Sequence, residues 1–290
     1  MHAVLEEMLR KSPVVTDGAW GTQLQDRGLP VGACPDRWNL EEPGKVEEVA
    51  RAYVEAGSEV ILTNTFGANR YVLKRHQAAE QVAEINRRGV EISRKAAGGR
   101  AKVFASMGPS GVMLMMGETA PEELEAAFFE QASAMAAAGA DGIVIETMSD
   151  PEETKLAVAA AKRTGLPVVA CMVFDCGKDL DRTMMGTTPE QAAEGLLEAG
   201  ADIIGSNCGQ GIAGFVAICT RLHAASGRPV WIKGNAGLPE MVGGKTVYSQ
   251  TADQFAEFVP ALVEAGAGFI GGCCGTTPAF IQAIRRKLDR

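Results

Sequence analysis

Three cysteines in this sequence have the residue type and the surroundings of a metal site. Cys273 and Cys274 stand side by side in the segment GFIGGCCGTTP, and Cys208 follows a short apolar run in EAGADIIGSNC. Three convergent thiols suggest zinc, which they would bind at about 2.3 Å while a fourth position stays open, as in catalytic sites. An adjacent pair is also compatible with small buried core residues or with a strained vicinal disulfide. The zinc interpretation predicts a catalytic rather than a structural metal site.

The remaining cysteines and the histidines give weaker signals. Cys171 lies in a predicted strand and Cys219 in a predicted helix, which indicates packing, while Cys34 and Cys176 lie in predicted loops. Cys176 is a weak alternative zinc ligand. The histidines are in helical or terminal segments away from strand ends, at positions His2, His76 and His223. We therefore expect no histidine ligand, and the odd, scattered set of cysteines predicts no disulfide framework.

A repeated phrase predicts the elements that position these residues. It occurs as EAGSEVILTNTF, AAGADGIVIETM, EAGADIIGSNC and EAGAGFIGGCC. In each copy a helix-like segment ends at a glycine, as in left-handed C-terminal caps, and a short buried strand follows. These glycines are Gly57, Gly139, Gly200 and Gly266. The phrase therefore predicts a helix, a tight loop and a strand, in that order, several times along the chain.

Eight such strands are expected, separated by helices. We place them at about 13–17, 59–64, 102–107, 142–146, 167–173, 202–206, 230–234 and 268–272. Most are continuous apolar runs, which is typical of a parallel sheet buried on both faces. Eight strands alternating with helices over 290 residues predict a single (β/α)8 TIM barrel. A doubly wound open sheet is the competitor, but no G-x-G-x-x-G loop follows a strand.

In such a barrel the chemistry is found at the carboxyl ends of the strands. The residues there are Asp17, Asn64, Met107–Gly108, Glu146, Asp175, Cys208, Asn235 and Cys273–Cys274. Cys208 ends the sixth predicted strand and the cysteine pair ends the eighth, so all three thiols face the same mouth. The flanking glycines permit backbone angles closed to other residues, which lets both sulfurs of the pair point the same way. They are Gly271, Gly272 and Gly275.

The overall composition argues against two classes of partner. The net charge is −8 and no basic run occurs, so we expect no nucleic acid partner. No uncharged apolar stretch reaches the roughly 18 residues of a membrane helix, so no membrane association is expected. The amino-terminal segment MHAVLEEMLRK lacks a signal-peptide pattern and predicts a short amphipathic helix. Together with the absent disulfide framework, these features predict a cytoplasmic protein.

Several motifs resemble the homocysteine S-methyltransferase family, and most of all the homocysteine-binding barrel of the cobalamin-dependent methionine synthases. They are DGAWGTQL, TNTFGANR, IET, SNCGQG, GNAGLP and GGCCGTTP. The resemblance covers nearly the whole chain, and GGCCGTTP with an upstream NC is its most specific part. It implies that residues 1–290 form a single homocysteine-binding barrel domain with a short amino-terminal helix. It also implies Zn²⁺ held by Cys208, Cys273 and Cys274, with the substrate thiolate in the open position.

The resemblance further implies how the amino acid end of homocysteine is bound. It places homocysteine contacts at Asp17 and Glu146, whose carboxylates suit the ammonium group. Thr147, Ser206 and Asn207 offer hydrogen bonds, and backbone N–H groups at a helix start would suit the carboxylate. Asn64 either lines the mouth or braces a loop. Asn235 matches a family position whose side-chain oxygen occupies zinc when substrate is absent.

The methyl donor is less well specified. The sequence shows neither a second barrel for folate nor a D-x-H-x-x-G signature for cobalamin, so we expect a methyl-corrinoid on a separate partner protein. Betaine is an alternative donor, with Trp38 as one wall of an aromatic cage, although betaine enzymes have tyrosine where this chain has Thr147. S-methylmethionine is another alternative. A corrinoid-linked demethylase of a different substrate and a non-catalytic zinc-binding barrel remain as other classes.

Overall fold

Strands and helices alternate along the chain in the computed structural model, which describes residues 1–242 and 245–289. Eight strands run parallel: β1 (Val14–Val15), β2 (Val60–Ile61), β3 (Lys102–Met107), β4 (Gly142–Met148), β5 (Val168–Met172), β6 (Ile203–Gly211), β7 (Val230–Asn235) and β10 (Ala267–Gly272). Their order in the sheet is β1-β10-β7-β6-β5-β4-β3-β2. A parallel bridge between Thr16 and Val60 joins the two ends. The predicted (β/α)8 TIM barrel is therefore confirmed.

The helices surround this barrel. They are α1 (Ala3–Leu9), α2 (Gly21–Asp26), α3 (Trp38–Glu41), α4 (Pro43–Glu55), α5 (Arg70–Arg75), α6 (Val82–Ala97), α7 (Pro121–Ala137), α8 (Pro151–Lys162), α9 (Pro189–Glu198), α10 (Phe215–Ser226), α11 (Ala252–Ala256), α12 (Val259–Glu264) and α13 (Pro278–Leu288). Each glycine of the repeated phrase has a positive φ, between +88° and +102°. These residues therefore end their helices in the left-handed region, as the sequence predicts.

Alternate residues of the strands fill the interior of the barrel. One buried cluster contains Val14, Val60, Phe104, Val144, Val169, Ile203, Trp231 and Phe269. Trp231 stacks between Phe104 and Phe269, and its ring centroid lies 6.1 Å from that of Phe104 and 4.9 Å from that of Phe269. These rings fill part of the barrel interior. Residues two positions further along the strands face the same interior nearer the mouth. They include Ser106, Glu146 and Lys233.

Some details differ from the prediction. β1 and β2 pair over only two residues each, and β6 continues to Gly211 instead of ending at 206. The segment after β7 forms an antiparallel hairpin, β8 (Pro239–Val242) and β9 (Lys245–Tyr248), that the apolar-run criterion missed because its residues are largely exposed. Within the described part of the chain, no helix is both long enough and apolar enough to cross a bilayer.

Candidate metal and substrate site

The three predicted cysteines converge at the carboxyl end of the barrel. The Sγ atoms of Cys208, Cys273 and Cys274 all lie within 4.8 Å of one another, and those of Cys208 and Cys274 are 3.9 Å apart. β7 lies between the two strands that carry them. All three are free thiols, so the adjacent pair is not a vicinal disulfide in this structure. Among the described residues, no other group of cysteine, histidine or carboxylate ligands has this proximity.

The arrangement fits a tetrahedral metal. Ligand sulfurs at about 2.3 Å from zinc are separated by about 3.8 Å, close to the distance between Cys208 and Cys274. Hydrogen bonds from Cys273 and Cys274 hold the pKa of Cys208 below its usual value. A buried oxygen, Oδ1 of Asn235, has no hydrogen-bond partner among the described residues. Asn235 ends β7, the strand between the cysteines, and its side chain hydrogen-bonds to Cys208, so its unpartnered oxygen belongs to a side chain that contacts the thiol cluster.

A bulge in β6 sets the position of Cys208. Asn207 pairs with Lys233, but the next paired residue is Gly211, opposite Asn235. Cys208 therefore lies in a bulge within the strand rather than at its end, and its φ is +61°. A positive φ is unfavourable for a residue with a side chain, and such strain persists only where surrounding contacts impose it. Bulges of this kind redirect a side chain, here a thiol toward its two partners.

The glycines around the cysteine pair have two different roles. Gly275 has a φ of +78°, and a Cβ there would meet the ring of Tyr248 at 2.2 Å. Gly271 and Gly272 have no positive φ, so the predicted reason for them is wrong. They are required by close approach, since a Cβ would lie 2.0 Å from Oγ1 of Thr16 or 2.3 Å from Oγ1 of Thr276.

The thiols open into a cavity of about 530 Å³ at the mouth of the barrel. Predicted site residues in its wall are Asn64, Glu146, Thr147, Cys208, Cys273 and Cys274. Trp20, Phe66 and Lys233 contribute further to the wall, although the sequence reasoning did not select them. The thiol cluster, two carboxylates and a lysine therefore border one space large enough for a small amino acid.

The wall of this cavity includes two buried carboxylates: Asp36, which accepts hydrogen bonds from the Gly67 N–H and the Cys34 thiol, and Glu146. The Glu146 side chain accepts a hydrogen bond from Ser106 Oγ and a longer one, 3.5 Å, from Nδ2 of Asn207. Burial raises the pKa of Glu146, while the charge of Lys233 and the hydrogen bond from Ser106 oppose that rise. A carboxylate held in this way is positioned to accept a charged donor from the cavity.

Asn207 connects Glu146, Thr147 and the thiols. Its Oδ1 accepts the Thr147 N–H at 2.8 Å, and its Nδ2 donates to Thr147 Oγ1 at 2.7 Å and approaches Cys273 Sγ at 3.9 Å. Thr147 has a φ of +61°, exceptional for a β-branched residue, and this contact stabilises it. Neither Asn207 nor Ser206, the residue before it in β6, is part of the described cavity wall.

Asp17 is fully buried and its oxygens already have partners. Oδ2 accepts the Trp20 Nε1–H at 2.8 Å and the Leu62 N–H at 2.7 Å. Oδ1 accepts a hydrogen bond from Lys233 Nζ at 2.5 Å. The carboxylate thus ties β1, β2 and β7 together below the cavity. Of the two carboxylates predicted to contact the substrate, Glu146 accepts fewer short hydrogen bonds from the protein than Asp17 does.

Asn64 both lines the cavity and braces a loop. Its Nδ2 donates to Pro35 O at 2.7 Å and to Asn39 Oδ1 at 3.1 Å, which holds the segment after α2 against the end of β2. The two roles that the sequence left open are therefore compatible, since the bracing amide is also part of the cavity wall.

Comparisons with known proteins identify the family. A family model described as homocysteine S-methyltransferase matches residues 14–288. The chain belongs to the homocysteine S-methyltransferase family. The resemblance inferred from the motifs is confirmed.

Similar proteins include methionine synthases and a betaine–homocysteine S-methyltransferase. The methionine synthase of Mycobacterium leprae is 30% identical over 99% of this chain but only 25% of its own length. The chain thus spans about a quarter of that protein. Betaine–homocysteine S-methyltransferase 1 of Danio rerio is 27% identical, with coverage of 99% and 76%. The oxidized form of the Escherichia coli homocysteine methyltransferase MmuM has a TM-score of 0.83 at 24% identity and covers 99% and 100%, which supports the fold.

The tryptophan in the wall of this cavity is Trp20 and not Trp38, which the sequence suggested. Trp38, the expected wall of a betaine cage, is buried with Lys45 Nζ 4.7 Å from its ring centroid. It does not belong to the described cavity wall, whereas Trp20 does.

Lys233 is a further wall residue that the sequence reasoning missed, although the segment VWIKGN offered a signal. Side chains alternate along a strand, so a lysine two residues after an inward-facing tryptophan must face the interior as well.

Proposed function

We propose that this protein methylates homocysteine to methionine with a zinc ion as cofactor and a methyl-corrinoid on a separate protein as donor. The observation that carries the proposal is the cluster of Cys208, Cys273 and Cys274, which opens into the same cavity as Glu146. Membership of the homocysteine S-methyltransferase family supports the substrate class. A thiol amino acid would place its sulfur at the cysteines and its ammonium at the carboxylate.

The three cysteines would hold the zinc ion. When bound, zinc would supply one chemistry, the stabilisation of the substrate sulfur as a thiolate at neutral pH, where a free thiol of pKa about 8.5 is mostly protonated. Three cysteine thiolates outweigh the two positive charges of the metal, so the ligand set keeps a substrate thiolate electron-rich. The chain therefore needs no general base beside the sulfur.

The chain's other residues orient the substrate. Glu146 would accept the ammonium, and the arrival of that charge favours the ionised carboxylate in spite of burial. Asn207 holds the strained Thr147 and reaches toward Cys273, so it maintains the distance between the ammonium end and the thiol end. The unpartnered Oδ1 of Asn235 would act as a ligand when substrate is absent.

The surface around the mouth supports a protein-borne donor. Exposed apolar side chains are carried by the loops after β3, β5 and β7, among them Met113, Met115, Met116, Met184, Met185, Leu238 and Met241. Flexible methionines are typical of surfaces that bind partners. We infer that a corrinoid protein would dock here and present its methyl group to the cavity, in line with the similarity to methionine synthases.

A methyl-transfer assay with several donors tests the function. The purified zinc-loaded protein is incubated with homocysteine and a methylated corrinoid protein, free methylcobalamin, betaine or S-methylmethionine. We expect methionine from the corrinoid donors and a higher rate with the protein-bound form. Methionine from betaine or S-methylmethionine alone would replace the proposed donor, and methionine from none of them would contradict the proposed reaction.

Glu146→Gln should weaken homocysteine binding by about ten- to a hundredfold. The substitution keeps the shape but removes the charge, and a hydrogen bond to a charged group contributes roughly 1.5–3 kcal/mol. Isothermal titration calorimetry measures the change. Glu153→Gln is the matched control, because Glu153 is also buried and also accepts a hydrogen bond from a serine, Ser110, but lies outside the cavity wall. Equal affinity in wild type and Glu146→Gln would remove this role from Glu146.

A further inference from the structure

Lys233 is a buried cation in the wall of the substrate cavity. It lies on β7 two residues beyond Trp231, and only 2% of its surface is exposed. Lysine is almost never fully buried unless its charge is paired, because removing an ammonium from water costs several kcal/mol. The position of this residue in the cavity wall therefore calls for an explanation.

One partner accounts for only part of the donor capacity of Lys233. A lysine ammonium carries three N–H donors. Among the residues that the structure describes, only Asp17 accepts a hydrogen bond from Nζ, through Oδ1 at 2.5 Å. Two donors are thus left over on a side chain that borders the cavity. Burial lowers the pKa of Lys233, but the charges of Asp17 and Glu146 outweigh that effect and raise it.

The cavity wall offers both a carboxylate and an ammonium group, the two partners that a zwitterion requires. Asp17 accepts hydrogen bonds from Lys233, Trp20 and Leu62. Asp36, the second carboxylate in the wall, accepts them from the Gly67 N–H and the Cys34 thiol, so Glu146, which Asn207 connects to the thiols, is the acidic group beside them that a ligand can reach. The amino acid end of homocysteine carries one ammonium and one carboxylate. Glu146 can accept hydrogen bonds from the ammonium, and the remaining N–H donors of Lys233 can bind the carboxylate.

We propose that Lys233 is a specificity-determining residue that binds the carboxylate of the thiol amino acid. This inference rests on the proposed function, because it assigns the carboxylate contact in the same cavity. Together, Lys233 and Glu146 would select substrates that carry both charges at the end opposite the thiol. Substrates that lack the carboxylate would leave the Lys233 donors without an acceptor, which is unfavourable in a buried site.

A purely structural role for Lys233 makes a different prediction. If its only function were to neutralise Asp17, then removing both charges together, in Asp17→Asn/Lys233→Met, would affect every ligand of the cavity alike. If it binds the carboxylate, its loss affects only ligands that have one. Three thiols separate these cases: homocysteine, 3-aminopropane-1-thiol, which lacks the carboxylate, and 4-sulfanylbutanoate, which lacks the ammonium.

The test is a calorimetric titration of zinc-loaded wild type and Lys233→Met with each of the three thiols, in a non-thiol reductant. We expect Lys233→Met to weaken homocysteine and 4-sulfanylbutanoate by about ten- to a hundredfold. Binding of 3-aminopropane-1-thiol should be unchanged or tighter, because a nearby positive charge has been removed. The double variant Asp17→Asn/Lys233→Met removes both charges together, so the net charge of the site stays the same, and it should show the same loss for homocysteine and 4-sulfanylbutanoate.

Two results would overturn the inference. Equal losses for all three thiols in the double variant would assign Lys233 a structural role, and unchanged homocysteine affinity would assign it no role in binding. Either result leaves the proposed function intact as long as wild type binds homocysteine. Failure of wild type to bind homocysteine at all would instead contradict the proposed function.

Discussion

Cys273→Ala is expected to abolish zinc binding and methyl transfer together. The structure places three thiols around one point, and a site reduced to two cysteines does not hold zinc tightly. Metal content measured by mass spectrometry after gel filtration should fall from one zinc per wild-type chain to below about a tenth of that. The same loss is expected for Cys208→Ala and Cys274→Ala, since each removes one of the three sulfurs.

A matched cysteine variant separates metal loss from general damage. Cys176 lies in the loop after β5 and outside the three-thiol cluster, and it was the alternative ligand suggested by the sequence. Cys176→Ala should therefore keep a full zinc complement and full activity. Stoichiometric zinc in Cys273→Ala would contradict the assignment. Loss of zinc in Cys176→Ala would show that the loop after β5 supplies a ligand.

The barrel was predictable because its signals are local. Helix-ending glycines such as Gly57 and Gly266 need the left-handed region, and the apolar runs after them are buried strands in the structure. The topology then places the carboxyl ends of β6 and β10 at one mouth, so the meeting of Cys208 with the cysteine pair also follows from the sequence. Each inference needed only neighbouring residues and the closure of the barrel.

Other parts of the site depend on long-range contacts that no local pattern indicates. Cys208 and Thr147 adopt positive φ values that their residue types disfavour, and the Asn207 side chain that stabilises Thr147 comes from another strand. Asp17 was expected to bind the substrate ammonium because it ends a predicted strand and the family resemblance places a homocysteine contact there. Its partner Lys233 is 216 residues away, so the sequence alone gave no reason to expect its oxygens to be occupied.

Asp17→Ala should chiefly destabilise the fold, by about 3–5 kcal/mol, the typical cost of leaving one partner of a buried ion pair alone. The substitution leaves the ammonium of Lys233 without its ion-pair partner, and it removes the acceptor of the Trp20 and Leu62 N–H groups. Urea denaturation at saturating zinc measures the change. Asp175→Ala is the matched control: this aspartate also follows a barrel strand but is exposed, so its loss should change stability by less than about 0.5 kcal/mol.

The double variant Asp17→Asn/Lys233→Met identifies the origin of the loss. It removes both charges and keeps an oxygen for the Trp20 and Leu62 N–H groups, and replacing a buried ion pair as a unit is often close to neutral. We therefore expect it to recover most of the stability that Asp17→Ala loses. If Asp17→Ala instead keeps wild-type stability and loses homocysteine affinity, Asp17 is a substrate contact. That outcome would mean that Oδ1 of Asp17, which accepts one hydrogen bond, from Lys233, accepts a second one from the substrate ammonium.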